Sequence, residues 1–185
     1  MREPVLLLIV LNFAIIGLLP RIFFRRDGSL NARWWATALP FGVAPLFLIA
    51  AYTADLAPLT PRSWLAVTAL AAVVLSVASI ALTCLTVGTH RIPVALWHQD
   101  CDQPEHIGAY RWIRHPFYAS FILAFMATVF FLPHWVTLGS LAYAWVALTL
   151  TARREERRLA GSAFGSQYRQ YLGRTGRFFP RFGIR

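Results

Sequence analysis

Five long apolar stretches fill most of this chain, and they constrain its fold more than any other feature. They cover about residues 5–19, 35–52, 64–87, 116–132 and 134–152, and none of them holds Asp, Glu, Arg or Lys. Only 14% of the 185 residues are charged, against about 25% in a soluble globular domain. Mean hydropathy is +0.52. The expected fold is therefore an all-α integral membrane protein. It has five transmembrane helices and an amphipathic C-terminal helical segment on the cytoplasmic surface. The length suits a single membrane domain spanning 1–185, with no room for an added soluble domain of normal size.

Charge placement orients this bundle. All 18 basic residues are Arg, and the net charge is +10. Such a balance could point to nucleic acid. The apolar body argues against that partner, and the positive side of a membrane protein explains the same charge. Segment 21–35 carries Arg21, Arg25, Arg26 and Arg33, whereas segment 53–63 carries only Arg62 and Asp55. Segment 88–115 carries Arg91, Arg111 and Arg114, and the tail after Thr151 holds nine Arg and two Glu. Arg thus falls on alternate connections, which places the N-terminus outside and the C-terminus in the cytoplasm. The all-Arg, Ala-rich composition points to a bacterial inner membrane. The first run ends in Leu18-Leu19-Pro20-Arg21 with no small-residue cleavage site, so it reads as a retained span rather than a secretory signal.

Pro40 and Pro45 predict an irregular second helix. Ser76, Ser79 and Thr83 equip the third for helix packing. Only Pro133 and His134 separate the fourth and fifth runs, so these form a tight antiparallel hairpin. The connection 88–115 is long and carries His90, His98, Asp100, Cys101, Asp102, Glu105 and His106. Their spacing matches no metal site, and no metal is expected. Cys84 and Cys101 are not expected to pair. Beyond the fifth run, Leu159, Phe164, Tyr168, Tyr171 and Leu172 recur at spacings near three and four, interrupted by Gly161 and Gly165.

Two polar clusters flank the hairpin. Arg114 and His115 precede Pro116, which suits a first helical turn. Tyr118 then follows on the same face. A helix start favours an anion, and Arg114 could grip a carboxylate with two parallel bonds. On its own this reads as a basic interfacial anchor. Glu155 and Glu156 change the balance, because acids are disfavoured near a helix C-terminus. The hairpin brings them close to Arg114 and His115, about forty residues away in sequence. A ligand with both a carboxylate and an ammonium, such as the methionine part of S-adenosylmethionine, fits this pair. Nearby aromatic rings could face its sulfonium and adenine.

The run Gly108-Ala-Tyr110-Arg111-Trp112-Ile113-Arg114-His115-Pro116-Phe117-Tyr118 resembles the isoprenylcysteine carboxyl methyltransferase family and its membrane phospholipid methyltransferase relatives. So do Glu155-Glu156-Arg-Arg-Leu159, Phe164-Gly165-Ser-Gln-Tyr168-Arg-Gln-Tyr171 and the final Arg177-Phe-Phe-Pro180. The likeness covers roughly residues 80–182. It implies a five-span enzyme that takes S-adenosylmethionine from the cytoplasm and a lipophilic or lipid-modified acceptor from the bilayer. It also implies a cofactor region of about 88–182. By this resemblance Tyr110, Arg114, His115, Tyr118, Glu155, Glu156, Tyr168 and Tyr171 form the cofactor pocket, with Arg114, His115 and Glu156 as catalytic candidates. Two departures stand out: Ser120 replaces a common Gly, and loop 92–106 has its own composition.

The acceptor that the resemblance favours is an isoprenylcysteine-type carboxylate. Methylation of an aminophospholipid is one alternative. A nicotinamide-dependent membrane reductase and a small transporter or scaffold are others. A carboxylate acceptor is already ionised at neutral pH and needs no base. An amine or thiol would need one, which would draw in His115 or Glu156.

Overall fold

The computed structural model describes residues 2–18, 32–90, 108–161 and 165–181. Five helices run back and forth between two ends of a bundle. They are α1 (Arg2–Leu18), α2 (Ala32–Thr53), α3 (Leu65–His90), α4 (Pro116–Phe131) and α5 (Trp135–Ala160). A short α6 (Gly165–Arg174) follows. Single 3-10 turns at Arg62–Trp64 and Gly108–Arg111 precede α3 and α4.

The five-span expectation is corrected here. Among the described residues, two helices are long and apolar enough to cross a membrane, Arg62–Gly88 and Trp135–Ala160. Pro116–Phe131 and the Phe41–Thr53 part of α2 are shorter apolar helical stretches. For α1 and α4 the reason is helical rise. At 1.5 Å per residue, α4 gives about 24 Å and α1 about 26 Å, short of the roughly 30 Å hydrocarbon core. An apolar run therefore marks a helix without guaranteeing that the helix is long enough to span. In the two long helices only 17% and 22% of the apolar window is buried, the opposite of a soluble core helix. Val67, Leu70, Val74 and Val77 on α3 and Trp145, Val146 and Leu150 on α5 stay exposed, presenting an apolar face suited to lipid.

One end of the bundle is fastened by short-range polar contacts. Arg2 Nη2 donates to the Phe131 carbonyl at 2.9 Å, with its guanidinium over the Tyr52 and Phe131 rings. Tyr52 OH donates to Glu3 at 3.1 Å, and Leu59 N to the Pro133 carbonyl at 2.7 Å. His134 caps α5 through a reciprocal arrangement with Val136 N and Thr137 Oγ1. Thr137 Oγ1 also donates to the Leu132 carbonyl at 2.7 Å, which fixes the hairpin turn. With α4 and α5 locked at this end, their other ends are held together at the site.

The interior joins α1, α3 and α4. Ser76, Ser79, Thr83 and Thr86 on α3 are fully buried, as small residues at a close helix contact should be. Ser79 Oγ donates to the Ser120 carbonyl at 2.8 Å and lies 3.0 Å from Asn12 Oδ1. Phe125 packs edge-on against Phe13 at 5.2 Å and against Phe41 at 5.6 Å. Pro45 lies within α2, which is helical from Ala32 to Thr53. Helix α5 continues past the apolar run that ends at residue 152 and carries Glu155 and Glu156 in its C-terminal part, as expected. Its end comes at Gly161. The connection bearing His98, Asp100, Cys101, Asp102, Glu105 and His106 lies outside the described residues, as does Phe164.

Replacing Phe125 with Ala should cost about 3 kcal/mol, because the ring contacts are lost and a cavity remains. Replacing exposed Leu7 with Ala should cost no more than about 0.5 kcal/mol. Reversible unfolding in detergent micelles checks both.

Candidate active site

The site begins with a short non-helical segment, Trp112 to His115, that leads into Pro116 at the start of α4. The C-terminal tail returns beside it. Ile113 and Gly176 form a parallel bridge. Gly176 N donates to the Trp112 carbonyl at 3.1 Å, Arg114 N to Gly176 O at 2.9 Å, and His115 N to Arg177 O at 3.1 Å. Residue 176 must be Gly, since a Cβ there would collide with the Phe179 carbonyl. Gly165 is constrained in the same way by the Ala160 carbonyl where α6 begins.

Side chains reinforce this pairing. Glu156 is 7% exposed. Its Oε1 accepts from Arg114 Nε at 3.0 Å and from Arg177 Nε at 3.1 Å, and its Oε2 accepts from Arg177 Nη2 at 2.6 Å. Arg114 Nη1 also donates to the carbonyls of Leu172 and Thr175. Arg114 thereby ties α4, α5 and the tail together. A buried charge removed from water requires such partners.

Glu155 is different. Its side chain is 46% exposed, and its Oε1 accepts from Tyr118 OH at 2.7 Å. The His115 ring lies between the two acids, with Nδ1 3.5 Å from Glu155 Oε2 and Nε2 3.4 Å from Glu156 Oε1. Neither contact is a hydrogen bond, and Nε2 is buried without a hydrogen-bond partner among the described residues. His115 stacks on Tyr118 at 5.2 Å, with the rings only 2° from parallel, and meets the edge of Phe178 at 6.3 Å. Tyr171 OH donates to the Tyr110 carbonyl at 2.7 Å, and Tyr168 lies 5.9 Å from Tyr171, ring to ring.

Electrostatics follow from burial. Burial holds the His115 pKa down at about 4, with Arg114 and Arg177 adding to the effect and Glu156 opposing it. His115 is therefore neutral at pH 7. Burial raises Tyr168 to about 12, with Glu156 contributing, and lifts Tyr110 well above the usual phenol range. Tyr110 and Tyr168 stay protonated at neutral pH. The hydrogen bonds to Glu156 raise Arg177.

All eight residues expected at the site lie at this end. Arg114, His115, Tyr118, Glu155 and Glu156 are in mutual contact, and Tyr110, Tyr168 and Tyr171 form an adjoining aromatic wall. Ser120 does not join them. Two positions on a helix differ by about 200°, so Ser120 faces α3 while Tyr118 faces α5. Arg177 is the residue that sequence reasoning missed. Its signal was available: a buried acid needs compensating cations, and the tail run Arg177-Phe-Phe-Pro180 supplies one.

A helical membrane protein with an ionic and aromatic site at one end of its bundle is the class that this fold and site define. A family model matches residues 65–161, and it describes the isoprenylcysteine carboxyl methyltransferase family. The chain belongs to that family. It is an S-adenosylmethionine-dependent methyltransferase that acts on a lipophilic acceptor. Membership sets aside the reductase and the transporter or scaffold readings. Comparison with curated proteins and with solved structures finds no match. The matched range ends before α6 and the tail that carries Arg177.

Removing Glu156 as Ala should cost about 3 kcal/mol or more, since Arg114 would be left buried and short of a partner. A second expectation concerns acid. The folded pKa of His115 lies below its unfolded value of 6.5. Its contribution to stability is then complete above pH 6.5 and is lost as pH falls toward 4. Thermal unfolding in detergent from pH 8 to 4 should show a decline that is shallower in His115→Asn than in the unmodified protein.

Proposed function

We propose that the protein O-methylates the carboxylate of an isoprenylcysteine-type acceptor at the site formed by α4, α5 and the tail. The observation that carries this reading is the contrast between the two acids. Glu156 is enclosed by Arg114 and Arg177, whereas Glu155 keeps an exposed oxygen beside a stacked aromatic pair. This donor set fits S-adenosylmethionine. Glu155 suits its ammonium, and Tyr118, Tyr110, Tyr168 and Tyr171 offer aromatic faces for cationic and adenine groups. When bound, the cofactor supplies an electrophilic methyl group on a sulfonium.

The protein's own residues then act by positioning. Arg114 and Glu156 hold the starts and ends of the flanking helices in register. Tyr118 orients Glu155 through its 2.7 Å hydrogen bond. His115, held neutral, presents no positive charge that would compete with a cationic ligand. A carboxylate acceptor needs no base, so rate enhancement rests on alignment and on exclusion of water. Single membrane domain 1–185, with residues 88–182 providing the cofactor region, is part of the same proposal.

Lateral entry of the acceptor is supported by an apolar crevice of about 380 Å³ among α2, α4 and α5. Val43, Phe47, Phe125, Val136 and Tyr143 line it. Tyr143 lies about 18 Å along α5 from Glu155, a separation that suits a long apolar chain. The Arg-rich end of the bundle holds the site, and that charge supports a cytoplasmic location in a bacterial inner membrane as part of the same reading. A second reading, N-methylation of an aminophospholipid, draws on neutral His115, which could take the proton that an amine must lose.

Purified protein should methylate a farnesyl-cysteine analogue, with radiolabelled S-adenosylmethionine as donor. Turnover of an aminophospholipid alone would establish the second reading. Turnover of a short soluble carboxylic acid alone would overturn lateral entry. Glu155→Gln should weaken S-adenosylmethionine binding about tenfold in calorimetry while leaving the unfolding midpoint nearly unchanged.

A further inference from the structure

We propose that Arg177 is a positioning residue of the methyl-transfer site, and that residues 175–178 form a strap whose docking it controls. The enzymatic part of this proposal rests on the functional reading above; the docking part does not. Three observations converge. First, the strap is attached to the segment before α4 by backbone bonds at Arg114, His115 and Gly176. These lie at the edge of the bundle and form a single isolated bridge, which is too few to hold a chain end alone. Second, Arg177 grips Glu156 with two nitrogens, while the backbone carbonyl of the same residue receives His115 N. One residue thereby fixes both the carboxylate and the start of α4. Third, Phe178 is buried against His115 and Trp145, and Phe179 stacks on Trp145 at 6.2 Å.

The two arginines therefore have different roles. Arg114 is 10% exposed in its side chain and is held by Leu172 and Thr175 as well as by Glu156. Arg177 is 30% exposed, and the side-chain bonds described for it both go to Glu156. Arg114 is built into the wall, and Arg177 is the hand of the strap. Without the bidentate grip, Glu156 keeps only its Arg114 bond, and its carboxylate plane is no longer fixed relative to Glu155 and His115. The planar fork matters as well as the charge, so Lys is an incomplete substitute.

Full-length protein in detergent, with Arg177→Ala and Arg177→Lys, tests this by hydrogen exchange and steady-state kinetics. In Arg177→Ala, exchange at the Arg114, His115 and Gly176 amides should accelerate at least tenfold, while the interior of α3 and α4 stays unchanged. The KM for S-adenosylmethionine should rise about tenfold, with kcat changing much less. Arg177→Lys should recover part of each effect. Unchanged exchange at those amides, or acceleration spread evenly through α3, α4 and α5, would overturn the proposal. So would a fall in kcat with KM unaltered. If the unmodified protein fails to bind S-adenosylmethionine yet local exchange still responds to Arg177→Ala, the functional reading falls and the strap stands.

Discussion

A carboxylate almost fully withdrawn from solvent, at Glu156, is the constraint on which the rest of this structure depends. An ionised acid in that position needs cations with good geometry, or burial would disfavour its charge. Arg114 arrives from the segment before α4 and Arg177 from the tail. Satisfying one acid thus brings three distant parts of the chain to one place. The backbone pairing of 113 with 176, the Tyr118–Glu155 bond and the aromatic wall all follow from that convergence.

Function follows from the division of labour between adjacent acids. Neighbouring positions on a helix point about 100° apart. Glu156 consequently turns into the ionic cluster while Glu155 stays half open beside the Tyr118 and His115 rings. In the proposed reading one acid builds the site and the other faces the cofactor. The same helix carries an apolar, lipid-suited surface over most of its length, so the polar cluster proposed as the reaction centre sits directly at the end of that apolar element. That placement suits an enzyme whose donor is water-soluble and whose acceptor is lipophilic.

The candidate site was largely legible in the sequence because its residues sit in compact runs. Arg114, His115 and Tyr118 flank a proline that marks a helix start, and a two-residue turn between apolar runs forces α5 back beside α4. The number of membrane-spanning helices was not legible in the same way. Apolar runs of similar appearance give helices of 16 and 26 residues, and the 16-residue one lacks the rise to span a membrane. The apolar span and the helix also differ in length at α5: hydropathy changes at residue 152, but the backbone continues helical to the stop at Gly161. Arg177 was signalled only by the need of a buried acid for a second cation, because its contact is set by backbone pairing between separate segments, which leaves no periodic trace.

A double-mutant cycle on Arg114 and Glu156 tests the central claim most directly. Arg114→Gln, Glu156→Gln and the double variant would be unfolded in the same detergent, with stability measured for each. If the buried acid organises the site, each single change is costly, and the double variant is more stable than the sum of the two losses implies, by about 2 kcal/mol. Additive losses would mean that the two residues contribute independently, and would contradict the account of one carboxylate holding helix and tail together.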